Sequence, residues 1–160
     1  MLGVTVLCVG RLKEEYLREA CAEYAKRLGA FCRFQVLELE EERLPQSPSD
    51  AQISRCLEAE GRRLLEKIPQ GAFAAVLCIE GKELDSRGLA RVLEETPLRG
   101  KSQMVFVIGS SWGLDDEVKR RADLRLSMSR MTFPHQLARV MLLEQIYRGF
   151  QISSGGKYHK

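Results

Sequence analysis

Residues 103–113 read Gln-Met-Val-Phe-Val-Ile-Gly-Ser-Ser-Trp-Gly. Gln103 to Ile108 is a β-rich apolar run with no polar alternation, the pattern of a strand covered on both faces. It breaks into Gly109-Ser110-Ser111-Trp112-Gly113, a turn with a glycine at each end. Asp115 to Ala122 then reads as a short helix, and Leu124 to Met128 returns to a strand or extended segment. Strand, turn, helix, strand is the unit from which parallel sheets are assembled.

Upstream, the alternation repeats. Val4 to Val9 is an apolar run closed by Gly10, and Lys13 to Leu28 has helical spacing, with Tyr16, Leu17, Ala20, Tyr24 and Leu28 on one side. Phe31 to Leu39 is a strand. The loop Pro45 to Asp50 offers Ser49 or Asp50 as cap for a helix from about Ala51 to Lys67, ahead of Pro69. Ala72 to Ile79 is a strand that leaves through Glu80-Gly81, and Asp85 or Ser86 caps a helix through Glu95, before Pro97. Downstream, His135 to Phe150 is the last helix, and Gln151 to Lys160 is a tail. The expected fold is one α/β domain over residues 1–160, a mostly parallel sheet with helices on both faces.

In such sheets ligands bind at the carboxyl ends of the strands. Three ends stand out: Leu77-Cys78-Ile79-Glu80-Gly81-Lys82, the turn at Gly109–Gly113, and the run from Leu126 through Met128-Ser129-Arg130-Met131-Thr132-Phe133-Pro134 to Arg139. Small hydroxyls and backbone in the third segment suit the polar edges of a purine and an amino-acid moiety, and its Met and Phe side chains suit an aromatic ring. Thr132 is placed to cap the helix that follows, and Pro134 suits its first turn. Gly109 would let the backbone approach a ligand. Taken alone, Gly109–Gly113 reads first as a tight strand-to-helix turn with a serine as cap. The glycine spacing is not the Gly-x-Gly-x-x-Gly of dinucleotide enzymes.

Several chemistries are excluded by what the chain lacks. It has two histidines, no Gly-x-Ser-x-Gly elbow, no phosphate-binding Walker loop and no metal-ligand spacing. Methyl transfer fits so sparse an inventory, because the donor carries its own leaving group and the protein chiefly aligns the reactants. The five cysteines are odd in number and form no Cys-x-x-Cys pair, so they read as small buried hydrophobes in a reducing, cytoplasmic setting. No signal peptide or membrane-spanning stretch is evident.

Charge is unevenly placed. Net charge is +3, yet from Lys119 onward nine Lys and Arg face only Asp123 and Glu144, which leaves that segment at +7 and the rest at −4. A basic final quarter on an acidic body is the asymmetry of a chain that meets a polyanion on one face. The last helix is apolar around most of its circumference (Leu137, Val140, Met141, Leu142, Leu143, Ile146, Tyr147 and Phe150), more than one core-facing stripe needs, which admits a subunit interface or a central core helix. His135 and Arg139, four apart, share a face beside the third segment. The tail Gly155-Gly156-Lys157-Tyr158-His159-Lys160 is frayed on one reading; on the other, an aromatic ring between cations stacks on a base.

The run Ser127 to Arg139, its continuation Leu142-Leu143-Glu144-Gln145-Ile146-Tyr147-Arg148 and the terminal Tyr158-His159-Lys160 resemble the SPOUT-class methyltransferases, specifically the ribosomal RNA large subunit methyltransferase H family. The resemblance covers essentially the whole chain. It implies S-adenosyl-L-methionine-dependent methylation of N3 of a pseudouridine in 23S rRNA on the ribosome, a C-terminal trefoil knot and a homodimer. It implies a cofactor pocket from Leu77, Gly109 and Met128, Ser129, Arg130, Met131, Thr132 and Phe133, with the tail completing the RNA side. From their places beside that loop and in the basic tail, Arg139, His135, Tyr158 and His159 are the expected catalytic residues. Arg139, Lys157, Tyr158, His159 and Lys160 are the expected RNA contacts, and no metal is expected. One departure is Ser110, where the family usually has a second glycine. The rival expectation is a non-catalytic ribosome-associated RNA-binding protein, which would have no need of the Ser/Met/Thr/Phe-Pro segment beside Gly109. A nucleotide-dependent oxidoreductase is disfavoured by the missing glycine fingerprint and ribose-binding acid.

Overall fold

In the computed structural model, which describes residues 1–160, the strands are β1 (Gly3–Val9), β2 (Arg33–Leu39), β3 (Phe73–Glu83), β4 (Gln103–Ile108) and β5 (Leu124–Ser127). The helices are α1 (Glu15–Leu28), α2 (Asp50–Lys67), α3 (Ser86–Leu98), α4 (Asp116–Arg121) and α5 (His135–Ser153). The strands form one sheet in the order β2-β1-β4-β3-β5, with every pairing parallel. Parallel neighbours need crossovers, and α1 to α4 each lie on one, while α5 follows the last strand.

Burial follows the apolar runs. Val4, Val6, Met104 and Phe106 point to one face, where Leu17 and Leu28 of α1, Leu89 and Leu93 of α3 and Leu142, Leu143 and Ile146 of α5 pack on them. Leu7, Val9, Val105 and Val107 point to the other, against Leu64 of α2 and Val118 of α4. Fully burying one such side chain contributes roughly 1.5–3 kcal/mol. On the first face α5 packs against both α1 and α3. It is therefore a core helix along one side. The expected caps are present at two helices: Ser49 with Gln52 in a reciprocal capping box, and Asp85 accepting from the Gly88 amide at 2.7 Å. All five cysteines are unpaired, and burial pushes the Cys8 thiol up to about 12.

Four local expectations change. α3 continues through Pro97 to Leu98, because a proline in the last turn forfeits one hydrogen bond without ending the helix. Thr132 does not cap α5; Pro134 occupies the N-cap position and no side chain bonds there. β3 runs on to Glu83 after a register slip, Leu77 and Lys82 both facing Leu126. The tail is not frayed: the Tyr158 hydroxyl donates to Glu144 Oε1 at 3.0 Å, and its ring meets Tyr147 edge-on at 4.9 Å.

Candidate functional site

A cavity of about 680 Å³ opens at the carboxyl ends of β3, β4 and β5, within the range of small-molecule sites. Its walls are Leu77–Glu80 at the end of β3, Ile108–Leu114 after β4, most of Leu126–Pro134 after β5, and the first turn of α5 at His135 and Ala138. The parallel sheet brings these stretches together, although they span sixty residues of chain.

Of the expected pocket residues, Leu77, Gly109, Met128, Ser129, Met131, Thr132 and Phe133 all line this cavity. Arg130 does not; it is exposed outside the wall. The loop after β5 is braced from within, Ser127 Oγ donating to the Ser129 carbonyl and the Met131 amide to Ser129 Oγ at 3.0 Å. The turn after β4 is closed by the Gly113 amide donating to the Ser110 carbonyl at 3.0 Å, with Gly113 at φ +97°. Gly109 is required by this closure: a Cβ there would collide with the Gly113 carbonyl oxygen and stand 2.8 Å from Leu114 Cγ. The turn folding on itself is reason enough for that glycine. Ser110 fits, its hydroxyl accepting from the Trp112 amide at 3.4 Å.

His135 stands on the cavity wall with Nδ1 3.4 Å from Ser111 Oγ. Its Nε2 is buried without a hydrogen-bond partner; Glu41 Oε1, at 3.8 Å, is too far. Burial holds the imidazole below its ordinary range, Arg139 adds to the effect and Glu41 opposes it, so the ring is neutral at pH 7.

Arg139 lies one turn further along α5 and is only 3% exposed. Its Nη1 meets Glu38 Oε2 at 2.6 Å and its Nη2 donates to the Gly10 carbonyl at 3.1 Å. The expected phosphate contact is therefore corrected: this guanidinium ties α5 to the ends of β1 and β2 and is withheld from solvent. A bidentate buried strap was invisible in the sequence because Glu38 lies 101 residues away.

The tail residues gather elsewhere. Arg148 lies over the Tyr158 ring at 4.7 Å, and its Nη1 is 3.1 Å from His159 Nδ1. Burial and Glu144 push the Tyr158 phenol up to about 12. Lys157 and Lys160 are exposed. Glu144, Tyr147 and Arg148 lie nine to thirteen residues beyond His135, so at 1.5 Å per residue the tail docks roughly 14–20 Å along α5 from the cavity. Cavity and tail of one chain do not meet. Cys78, Ile79, Glu80 and Trp112, from two of the strand-end stretches but not among the expected pocket residues, also line the cavity, and Lys119 joins them from α4 with no signal in the sequence. No cluster of three or more His, Cys, Asp or Glu could hold a metal ion, and no helix is long and apolar enough to cross a membrane.

Comparison with known proteins identifies the family. The family model described as "Predicted SPOUT methyltransferase" matches residues 2–159. The chain is 47% identical over 159 residues to ribosomal RNA large subunit methyltransferase H of Ligilactobacillus salivarius (strain UCC118), covering 99% of this chain and 100% of that one. It is 46% identical over the same shares to the protein of that name from Streptococcus pneumoniae (strain CGSP14). Among solved structures, a probable methylase family protein from Haemophilus influenzae Rd KW20 superposes with a TM-score of 0.52 at 12% identity, over 98% of this chain and 70% of that one, a likeness of fold alone. With a family model spanning nearly every residue and relatives matched end to end, the chain belongs to the SPOUT methyltransferases.

Proposed function

We propose that this protein methylates N3 of a pseudouridine in 23S rRNA, in the context of the ribosome and in the cytoplasm, using S-adenosylmethionine held in the cavity at the ends of β3, β4 and β5. The observation that carries the reading is the convergence there of the self-braced loop after β5 with the glycine-closed turn after β4. The walls suit the cofactor chemically. Leu77, Ile108, Leu114, Leu126 and Phe133 offer apolar surface to a purine, and the hydroxyls and backbone of 109–113 and 128–134 offer hydrogen bonds to its polar edges. The relatives' printed name supports ribosomal RNA as the acceptor. The C-terminal return from β5 to α5 is read as knotted, as the family implies.

When bound, the cofactor supplies an activated methyl group together with its leaving group. The chain's own task is to align the acceptor and manage one proton. An imide nitrogen is nucleophilic only after losing its proton, and neutral His135, on the cavity wall beside Ser111, is the imidazole placed to take it. Arg139 acts at one remove, holding the first turn of α5, and hence His135, against β1 and β2.

The separation of cavity and tail supports a homodimer in which a second copy brings Lys157, Tyr158, His159 and Lys160 to the cavity. Apolar side chains exposed at its mouth, Ile79 at 72%, Trp112 at 50% and Met131 at 75%, offer the surface such a partner would cover. Tyr158, neutral and held by Glu144, would then stack on the acceptor base, while Lys157 and Lys160 meet phosphates. Titration of labelled S-adenosylmethionine into purified protein tests the pocket directly. Saturable binding at one site per chain is expected; a folded protein that binds none would remove the reading.

A further inference from the structure

Between Leu77 and Lys82 the β3 backbone leaves its ladder with β5 and rejoins it, both residues facing Leu126. Extra residues in a ladder re-aim side chains, and such irregularities gather beside active sites. This excursion is fixed in place. A Cβ on Gly81 would stand 2.8 Å from the Arg125 carbonyl carbon and oxygen, so only glycine lets the strands close behind it. What the excursion carries forward is Cys78, Ile79 and Glu80, all on the cavity wall.

Glu80 Oε1 meets Lys119 Nζ at 2.6 Å, and Lys119 lines the same cavity from α4. With Glu80 54% exposed and Lys119 21%, this contact is partly screened by water and contributes modestly to stability. Its placement is what distinguishes it, bridging the end of β3 to the helix that follows the glycine-closed turn. The Lys119 ammonium, and then Glu80's own backbone amide, hold the carboxyl below the usual range, so it is an ionised acceptor. Lys119 and Glu80's own amide take two of about four acceptor positions on the carboxylate, which leaves two for a vicinal diol. An acidic side chain at a strand's carboxyl end, beside a glycine turn, is a chemical match for ribose hydroxyls.

We propose that Glu80 recognises the ribose hydroxyls of the adenosyl cofactor and that Lys119 is the positioning residue that aims its carboxylate. The assignment rests on the cofactor reading above. Both side chains reach solvent, so replacing them leaves the fold intact, which a thermal melt verifies. Calorimetry with S-adenosylhomocysteine and its 2′,3′-dideoxy counterpart separates the possibilities. Wild-type protein is expected to favour the ribose form by about ten-fold or more, the effect of hydrogen bonds to a charged group. In Glu80→Ala that preference should collapse with the dideoxy affinity unchanged, and in Lys119→Met it should narrow. Equal weakening of both ligands by Glu80→Ala would overturn the proposal, as would wild-type binding with no ribose preference. Absence of any binding by the wild type would instead remove the cofactor reading, and this subsite with it.

Discussion

Replacing Arg139 by Leu separates two roles that a basic residue near an RNA site can play. The guanidinium is 3% exposed and makes two charge-assisted hydrogen bonds, at 2.6 Å to Glu38 and 3.1 Å to the Gly10 carbonyl. Breaking a buried pair costs about 3–5 kcal/mol. Glu38 keeps 36% of its side-chain exposure, so water partly re-solvates it, which lowers the figure to about 2–3 kcal/mol. For a chain of this length each kcal/mol moves Tm by roughly 2–4 °C, so Arg139→Leu should lower Tm by about 4–12 °C. Arg139→Lys keeps the charge opposite Glu38 and loses the Gly10 bond, so it should fall between. Differential scanning calorimetry gives the stability, and rRNA binding at several salt concentrations gives the slope. A strap leaves the slope of the folded variant unchanged; a phosphate contact reduces it by about one. An unchanged Tm with a reduced slope would refute the reasoning.

His135→Gln should cut turnover with little change in cofactor affinity, read by single-turnover transfer and calorimetry. In the wild type, transfer should hold at neutral pH and decline only below the usual imidazole range, because burial keeps the folded-state pKa low. The unfolded chain takes up that proton first, so stability, measured by denaturant titration, should also fall as the medium becomes acidic. Gly109→Ala should destabilise the turn and weaken cofactor binding together, since the Cβ meets Gly113 and Leu114 before any ligand; normal affinity in a calorimeter would contradict that. Met131→Glu places a charge on the exposed rim of the cavity and should shift sedimentation from dimer toward monomer.

The alternation of apolar runs with amphipathic ones was enough to place all ten elements, because each strand's burial is written in its own residues. Ser49 and Asp85 were readable for the same reason, since caps are local chemistry. What escaped depends on distant chain. The excursion of β3 around Gly81 is dictated by the backbone at Arg125 and Leu126, and the burial of Arg139 by Glu38 and Gly10. Thr132 looked like a cap by spacing, yet Pro134 fixes the entry to α5 instead. The tail's order comes from Glu144 and Tyr147, one helix face away, and nothing in a Gly-Gly-Lys-Tyr sequence announces it. For the pocket, strand ends gave its neighbourhood, and the resemblance supplied the individual residues. Seven of those eight lie on one wall system, while exposed Arg130 lies outside it.

The central claim is that the cavity serves methyl transfer to rRNA with help from the tail of a second copy. Its most direct test incubates ribosomes lacking the modification with labelled S-adenosylmethionine and either the full chain or a chain ending at Lys157. The rRNA is then digested and its nucleosides read by mass spectrometry. The full chain should place label on N3 of one pseudouridine of the 23S rRNA, and the shortened chain should bind cofactor normally yet transfer almost none. A full chain that binds cofactor and ribosomes without labelling RNA, or a shortened chain that labels it fully, would contradict the account.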